Sequence, residues 1–324
     1  MSILRRLLLC LVAASALAAR AEAAPADPDF AAWLGGVRQE ALASGIRPAA
    51  VAVALDGVQP IPRVIELDRR QPESTTTFAG YLRHVVNEPR RKAAREQLQR
   101  NRELLDAIAG RYHVQPRFIV ALWGIETSFG RDMGGYPVID ALATLAYDGR
   151  RSDFFRGELM NALRIVDQDQ IDPKTMLGSW AGAMGQTQFM PSSFLNYAVS
   201  YSGDGRRDIW HRREDVFASI ANYLAQSGWN GTQGWGRAVR VPGGLDPALI
   251  GLDTKKTLSE WARLGLRRAD GGPLPRAAIT ASLLRPGNGD GPALLVYDNF
   301  AVLLKWNNSS YFAASVGYLA DSME

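Results

Sequence analysis

The sequence has almost no cysteine, since Cys10 is the one cysteine among 324 residues. Cys10 lies in an apolar stretch near the N-terminus, and removal of that stretch would leave a chain without cysteine. Such a chain forms no disulfide and has neither a cysteine nucleophile nor a cysteine metal site. Histidine is also scarce, and the spacing of His84, His113 and His211 does not match a metal-ligand pattern.

The sequence has no block of like charge. It contains 37 basic and 33 acidic residues, which gives a net charge of +4. The basic run between Arg90 and Arg100 is typical of a solvated helix face, so we expect no nucleic-acid partner. With 47% hydrophobic and 22% charged residues, the composition is that of a globular protein, and the length favours about two domains.

The sequence has no hydrophobic run long enough to cross a membrane. The apolar run Leu7–Ala19 has about 13 residues, short of the ~20 that a spanning helix requires. Arg5 and Arg6 precede this run, and small residues with an A-x-A pattern at Ala21–Ala23 follow it. This order predicts a secretory signal peptide over residues 1–23 and no stable membrane anchor.

The remaining sequence divides into four regions. We predict an N-terminal α region over 24–112 and a helical core over 113–235, then a small β insertion over 236–290 and a C-terminal return to the core over 291–324. Three short apolar segments between Gly and Pro turns favour strands, at 238–241, 279–283 and 293–297.

One carboxylate occurs in an unusually apolar setting. The stretch Pro116–Ser128 predicts a helix, because a proline suits its first turn and Gly130 suits its end. Glu126 lies among large apolar residues of that helix. Desolvation raises the pKa of such a carboxyl group and keeps it available as a general acid. The alternative is a structural glutamate that pairs with Arg117 or Arg131.

A second notable stretch, residues 178–191, is rich in glycine but contains no lysine and no phosphate-loop spacing. Its Ser, Thr and Gln side chains alternate with Trp, Phe and Met. Amides pair with sugar hydroxyl and N-acetyl groups, and aromatic rings stack on sugar faces, so the stretch suits a carbohydrate. A plain loop between helices is the alternative.

Four motifs occur together and in order: residues 124–130 (GIETSFG), 139–145 (IDALATL), 179–191 and 221–224 (ANYL). Together they resemble the lytic murein transglycosylase B family, glycoside hydrolase family 103. The resemblance extends over nearly all of the chain after the signal peptide. It implies a mainly α (α+β) fold, in which a lysozyme-like helical core carries an N-terminal α region and a small β insertion.

The resemblance implies cleavage of the β-1,4 bond between N-acetylmuramic acid and N-acetylglucosamine in peptidoglycan. The product has a 1,6-anhydromuramyl end, and Glu126 acts first as the acid and then as the base. No second acid has an equally apolar setting, and Asp140 is typical of a helix N-cap. A hydrolytic muramidase and a catalytically silent peptidoglycan-binding scaffold remain as alternatives.

The resemblance also implies a set of substrate-binding residues: Arg150, Arg151, Ser179, Gln188, Phe189, Tyr223, Asn307 and Phe312. The two arginines would bind carboxylates of the peptide stem, although plain surface solvation explains them equally well. Asn307 would reach the site of the glutamate. Phe312 occupies a position where the family often has tyrosine, so one hydrogen bond near the site is lost.

Some family members bind Ca²⁺ in a loop after the Gly-rich stretch. Here that loop offers Ser200, Ser202 and Asp204 at the ligand positions, and His211 stands where a bidentate glutamate belongs. Two arginines, Arg206 and Arg207, add positive charge. We therefore predict no cofactor and treat the loop as a weak calcium candidate.

The signal peptide and the resemblance together imply a periplasmic protein. Its expected partners are the glycan strands of peptidoglycan. Proteins of cell-wall synthesis or division are further candidate partners, although no motif in the sequence supports them.

Overall fold

The structure is a computed structural model and describes residues 28–70, 76–287 and 289–324. The predicted signal peptide lies outside these ranges, as does Cys10. Over the described part of residues 28–112 the chain forms six helices: α1 (Pro28–Ala43), α2 (Pro48–Leu55), α3 (Pro62–Arg69), α4 (Phe78–Val85), α5 (Glu88–Arg100) and α6 (Arg102–Tyr112). Proline opens α2 and α3, where its missing N–H removes no helical hydrogen bond.

The next region contains the most deeply buried helices: α7 (Pro116–Thr127), α8 (Val138–Tyr147), α9 (Ser152–Asp169), α10 (Pro191–Tyr197) and α11 (Arg213–Gln226). Helix α7 packs against α5, α6 and α11, and α8 packs along α9. Two very short strands, β1 (Tyr136–Pro137) and β2 (Leu177–Gly178), pair antiparallel between these helices. Helix α7 therefore lies in the middle of the helical core.

An antiparallel sheet of five strands follows: β3 (Gly236–Arg240), β4 (Lys255–Thr257), β5 (Arg267–Arg268), β6 (Thr280–Leu284) and β7 (Ala293–Val296). The strand order is β4-β6-β7-β3-β5. Helix α12 (Leu258–Arg263) begins at a capping box formed by Thr257 and Glu260. The sheet and α12 bury a separate apolar cluster around Trp261, Leu283 and Leu295.

The chain then returns to the helical core through α13 (Asp298–Trp306) and α14 (Ser310–Asp321). Helix α14 packs against α7 and α4. One continuous apolar cluster accordingly joins the N-terminal helices, the core helices and the C-terminal pair. This return brings the end of α13 next to the end of α7.

The mainly helical fold with a small sheet confirms the predicted fold class. The three predicted strands are present as β3, β6 and β7, and β7 lies beyond residue 290. The prediction that Asp140 caps a helix is wrong, because α8 begins at Val138 and places Asp140 within its first turn. Among the described residues, no helix is both long and apolar enough to span a bilayer.

Candidate active site

Glu126 lies in the last turn of α7, whose other residues are mostly buried. The helix ends in three consecutive left-handed residues, Ser128, Phe129 and Gly130. This turn folds the Phe129 ring back onto the helix beside Gly124, where an added Cβ would lie 2.5 Å from the ring. A glycine at position 124 therefore permits the close packing that fixes the end of α7.

Glu126 accepts a short hydrogen bond from an indole. Trp306 Nε1 donates to Glu126 Oε1 over 2.6 Å, across 180 residues of sequence. Burial raises the pKa of Glu126 to about 7, and the Trp306 hydrogen bond opposes this rise because it favours the ionised carboxylate. Near neutral pH the carboxyl group is therefore close to half protonated.

The described part of the chain gives Glu126 no ionic partner. Arg131 donates through Nε to the carbonyl oxygen of Ser128 over 2.9 Å, and Arg117 pairs with Glu324. No charged side chain contributes to the pKa shift of Glu126. The structural alternative, a glutamate paired with Arg117 or Arg131, is therefore not what the fold contains.

Trp306 belongs to a cluster of rings that we call the aromatic wall, formed by Phe189, Tyr223 and Trp306. The Trp306 ring centroid lies 5.2 Å from that of Phe189 and 4.7 Å from that of Tyr223. The Tyr223 hydroxyl donates to the carbonyl oxygen of Lys305 over 2.7 Å. Burial raises the pKa of Tyr223 to about 12, so this hydroxyl remains a donor at physiological pH.

A second group of rings faces the site from α4 and α14. The ring centroids of Tyr81 and Tyr311 are 5.5 Å apart, and those of Phe78 and Tyr311 are 5.0 Å apart. Burial raises the pKa of Tyr81, and the charge of Glu126 raises it further. The phenol of Tyr81 is therefore close enough to the Glu126 carboxylate to interact with it electrostatically. Tyr81 is not among the site residues predicted from the sequence, because nothing local links α4 to α7.

The Gly-rich stretch docks onto the end of α7. Gln186 accepts from Trp123 Nε1 at 2.8 Å and donates to the carbonyl oxygen of Trp210 at 2.7 Å, so both ends of its amide are used inside the protein. Thr127 Oγ1 also donates to the carbonyl oxygen of Gln186 at 3.1 Å. These bonds hold the stretch against the helix that carries Glu126.

Three predicted substrate contacts lie in this stretch. The Gln188 amide nitrogen donates to the carbonyl oxygens of Met133 and Gly185, and in the described part of the chain its Oε1 accepts no hydrogen bond. Ser179 Oγ accepts from the backbone N–H of Ala183 at 3.1 Å. Phe189, the third, belongs to the aromatic wall. Gln188 therefore offers a free acceptor close to ring surfaces.

The predicted pair Arg150 and Arg151 has a structural partner. Both guanidinium groups bind the carboxylate of Asp68, at 2.6 Å and 2.5 Å, and the Asp68 side chain is only 1% exposed. These hydrogen bonds, that of Arg150 above all, lower the pKa of Asp68. The arginines thus join α3 to the start of α9, and no contact in the described chain links them to Glu126.

The last two predicted contacts follow α13. Asn307 is exposed directly after Trp306, and it is the tryptophan rather than the asparagine that contacts Glu126. Phe312 is buried in the core of α14. The signal for Trp306 was present in the sequence, because an indole N–H directly precedes the asparagine that the resemblance selected.

The loop predicted as a weak calcium candidate does not fit the ion. Asp204 accepts from Ser200 Oγ at 2.7 Å and from Arg212 Nη1 at 2.7 Å, and Arg212 Nη2 donates to Ser202 Oγ at 3.0 Å. Two of the three candidate ligands therefore already bind a guanidinium, and the third, Ser200, bonds to Asp204. Within the described residues no group of three or more His, Cys, Asp or Glu side chains is placed to hold a metal.

Comparison with known proteins places the chain in a family. The sequence profile of the transglycosylase SLT domain matches residues 29–321. Membrane-bound lytic murein transglycosylase B of Escherichia coli (strain K12) is 39% identical over 214 residues, which are 65% of this chain and 58% of that protein. The matched part thus spans less than two thirds of that relative.

Solved structures give the same result. SltB3 from Pseudomonas aeruginosa, in complex with NAG-anhNAM-pentapeptide, has a TM-score of 0.86 and 45% identity, covering 91% of this chain and 79% of that one. Slt35 from Escherichia coli, in complex with calcium, has a TM-score of 0.75 and 29% identity, covering 92% of this chain and 93% of that one. The resemblance to lytic transglycosylase B-like proteins is confirmed. Because the profile match runs through nearly all of the described residues, the chain belongs to the transglycosylase SLT domain family.

Proposed function

We propose that this protein is a lytic transglycosylase of peptidoglycan with Glu126 as its single acid and base. The observation that carries the proposal is the setting of Glu126: a carboxyl group with a pKa of about 7, next to an aromatic wall and without an ionic partner in the described chain. A carboxylic acid that remains protonated near neutral pH suits protonation of a glycosidic oxygen.

Among the described residues no second carboxylate is coupled to Glu126, which supports a one-carboxylate mechanism. Burial raises the pKa of three other described carboxyl groups: Asp140, Asp215 and Asp321. None of these three carboxyl groups is among the groups that shift the pKa of Glu126. Ordinary glycosidases use two carboxylates about 5 to 9.5 Å apart.

The surroundings of Glu126 suit an N-acetylated sugar. Phe189 and Tyr223 are buried, so Trp306 is the member of the aromatic wall with ring surface left for a sugar. Gln188 Oε1 offers an acceptor for a sugar hydroxyl or an acetamido N–H. The complex of SltB3 with NAG-anhNAM-pentapeptide supports a peptidoglycan ligand. We therefore propose the β-1,4 bond between N-acetylmuramic acid and N-acetylglucosamine as the bond that is cleaved.

The proposed reaction has two proton transfers. Protonated Glu126 gives its proton to the glycosidic oxygen while the bond from C1 of the muramyl residue to that oxygen breaks. The substrate's own N-acetyl group stabilises the positive charge at C1, as in substrate-assisted glycosidases. The ionised Glu126 then takes the proton of the muramyl C6 hydroxyl while O6 bonds to C1. The product is a 1,6-anhydromuramyl end, and the enzyme returns to its protonated form without consuming water.

The remaining predictions belong to the same proposal. Ser179, Phe189, Tyr223 and Asn307 are proposed substrate contacts around Glu126. We propose a periplasmic location, in agreement with a relative that is a membrane-bound murein transglycosylase. Partners among cell-wall synthesis or division proteins stay a prediction.

Digestion of purified peptidoglycan sacculi tests the proposal. Products of the wild type and of Glu126→Gln are separated and identified by mass spectrometry. We expect anhydromuramyl products from the wild type and a rate at least about a hundredfold lower from Glu126→Gln, because general acid–base catalysis contributes about that much or more. Asp132→Asn, a change of an exposed carboxylate shortly after α7, is the matched control and should retain activity.

Other outcomes would replace the proposal. Reducing muramyl ends in place of anhydromuramyl ends would identify a hydrolytic muramidase. Binding to sacculi without release of products from either protein would identify a catalytically silent scaffold. Full activity of Glu126→Gln would exclude Glu126 as the acid.

A further inference from the structure

We infer that Trp306 is a positioning residue that decides which oxygen of Glu126 carries the catalytic proton. The inference rests on the proposed function of Glu126 and adds a residue that the family resemblance did not select. It begins from the 2.6 Å distance between Trp306 Nε1 and Glu126 Oε1.

The chemistry of the indole makes this contact directional. An indole Nε1–H can only donate, whereas hydroxyl and amide groups can also accept. Glu126 Oε1 must therefore be the acceptor in both protonation states. In a neutral carboxyl group the carbonyl oxygen accepts hydrogen bonds better than the hydroxyl oxygen does. The oxygen that accepts from the indole is therefore the carbonyl oxygen, and the proton of the neutral acid resides on Oε2.

The indole is held in place from several sides. Its ring packs against Phe189 and Tyr223, and the Tyr223 hydroxyl donates to the carbonyl oxygen of the preceding residue, Lys305. Lys305 Nζ in turn donates to the carbonyl oxygen of Ser227 over 2.9 Å. Fixed rings and backbone bonds restrict the rotamer of Trp306, which is what a group that orients a catalytic carboxyl needs.

The same oxygen then serves both halves of the reaction. Oε2 gives its proton to the glycosidic oxygen as the C1–O bond breaks, and the resulting carboxylate keeps its bond from Trp306 on Oε1. Oε2 next receives the proton of the C6 hydroxyl as O6 bonds to C1. Oε2 is thus deprotonated in the first step and protonated again in the second. The carboxyl group does not rotate between the two steps.

Trp306 also tunes the acidity of Glu126. Its hydrogen bond favours the ionised carboxylate, so its loss raises the pKa of Glu126 further. Because the acid must be protonated, the alkaline limb of the pH profile of kcat/KM moves to higher pH. Loss of a hydrogen bond to a charged group should raise the pKa of Glu126 by about one unit or more, and the alkaline limb should move by the same amount.

The first test is Trp306→Phe, which keeps a ring and removes the N–H. We expect kcat on soluble glycan strands to fall about tenfold or more, because the carboxyl is no longer oriented, while the alkaline limb shifts upward. The matched control is Trp229→Phe, which removes another indole donor, the one bonded to Gln115 Oε1 near the opposite end of α7. This control should leave the alkaline limb unchanged.

A structural role for Trp306 predicts a different result. In that case Trp306→Phe loses activity at all pH values while its alkaline limb coincides with that of the wild type, and the inference is overturned. Failure of the proposed function is separate, since it appears as full activity of Glu126→Gln.

A second measurement does not depend on the folding of a Trp306 variant. In the ¹⁵N-labelled wild type, the indole N–H resonance of Trp306 should titrate with a midpoint near the Glu126 pKa of about 7. The resonance is identified as the one whose titration disappears in Glu126→Gln. If none of the eight tryptophan indole resonances titrates between pH 5 and pH 9 in this way, Trp306 does not sense the carboxyl and the inference fails.

Discussion

Replacing Glu126 with glutamine should stabilise the protein at alkaline pH, even though it removes the proposed catalytic acid. Burial raises the pKa of Glu126 from the ordinary 4.5 to about 7 in the folded protein. Between these two pH values the folded chain holds a proton that the unfolded chain has released. The free energy of unfolding of the wild type therefore falls as the pH rises from 4.5 to 7. Above pH 7 the stability lost through Glu126 stays constant.

The expected magnitude follows from the two pKa values. A pKa difference of one unit corresponds to 1.36 kcal/mol, so ionised Glu126 costs about 3 kcal/mol of stability above pH 7. Well below pH 4.5 the group is neutral in both states and contributes nothing to this cost. Because domains are stable by only about 5–15 kcal/mol, a change of this size is easily measured.

Urea denaturation of the wild type and of Glu126→Gln at pH 5 and pH 8.5 checks this prediction. The glutamine variant should gain about 2.5 kcal/mol more, relative to the wild type, at pH 8.5 than at pH 5, because part of the cost is already present at pH 5. Glutamine still offers an oxygen to Trp306, so the comparison isolates the charge. Asp132→Asn should show a similar difference from the wild type at both pH values. An equal effect of Glu126→Gln at pH 5 and pH 8.5 would refute the reasoning, because Glu126 would then titrate alike in the folded and unfolded chains.

Three further predictions concern stability. Asp68→Asn should lower the free energy of unfolding by about 2 kcal/mol, because it leaves two guanidinium groups unpaired. This loss should exceed that from replacing either arginine alone, and chemical denaturation of the three variants at pH 7 measures the difference. Neither EDTA nor millimolar Ca²⁺ should change the melting temperature of the wild type, whereas Arg212→Gln should lower it. A higher melting temperature of the wild type in Ca²⁺ would contradict the assignment of Arg212 as the cation of the loop. Gly124→Ala should cost about 1–3 kcal/mol, because its Cβ would lie 2.5 Å from the Phe129 ring, and it should also reduce activity; retention of wild-type stability would show that this ring has room to move.

Much of the helical core could be predicted because its signals are local. A proline, an apolar run and a glycine within fifteen residues mark α7, and the same stretch identifies Glu126. The strands β3, β6 and β7 were predicted for the same reason, by short apolar segments between turn residues. Their order in the sheet was not, since it is fixed by pairings between distant segments.

The site was predicted less completely because its contacts join distant parts of the chain. The partner of Glu126 is 180 residues away, and the carboxylate that binds Arg150 and Arg151 is more than 80 residues before them. The sequence shows two adjacent arginines and no sign of Asp68 as their partner, so a substrate role and plain surface solvation explained them equally well. Asp140 is typical of a cap, but the assignment is wrong because α8 begins earlier, with Pro137 at its N-cap.

The position of Glu126 in the last turn of α7 has a further consequence for how the proton returns. Peptide dipoles align along a helix and leave a partial negative charge at its carboxyl end. That charge opposes the ionised form of a glutamate in the last turn, in the same direction as burial. A Glu126 that has just given up its proton is therefore a high-energy anion at a negative helix end. This field drives it to recover a proton from the nearest hydroxyl, so the direction of α7 favours the second half of the proposed reaction.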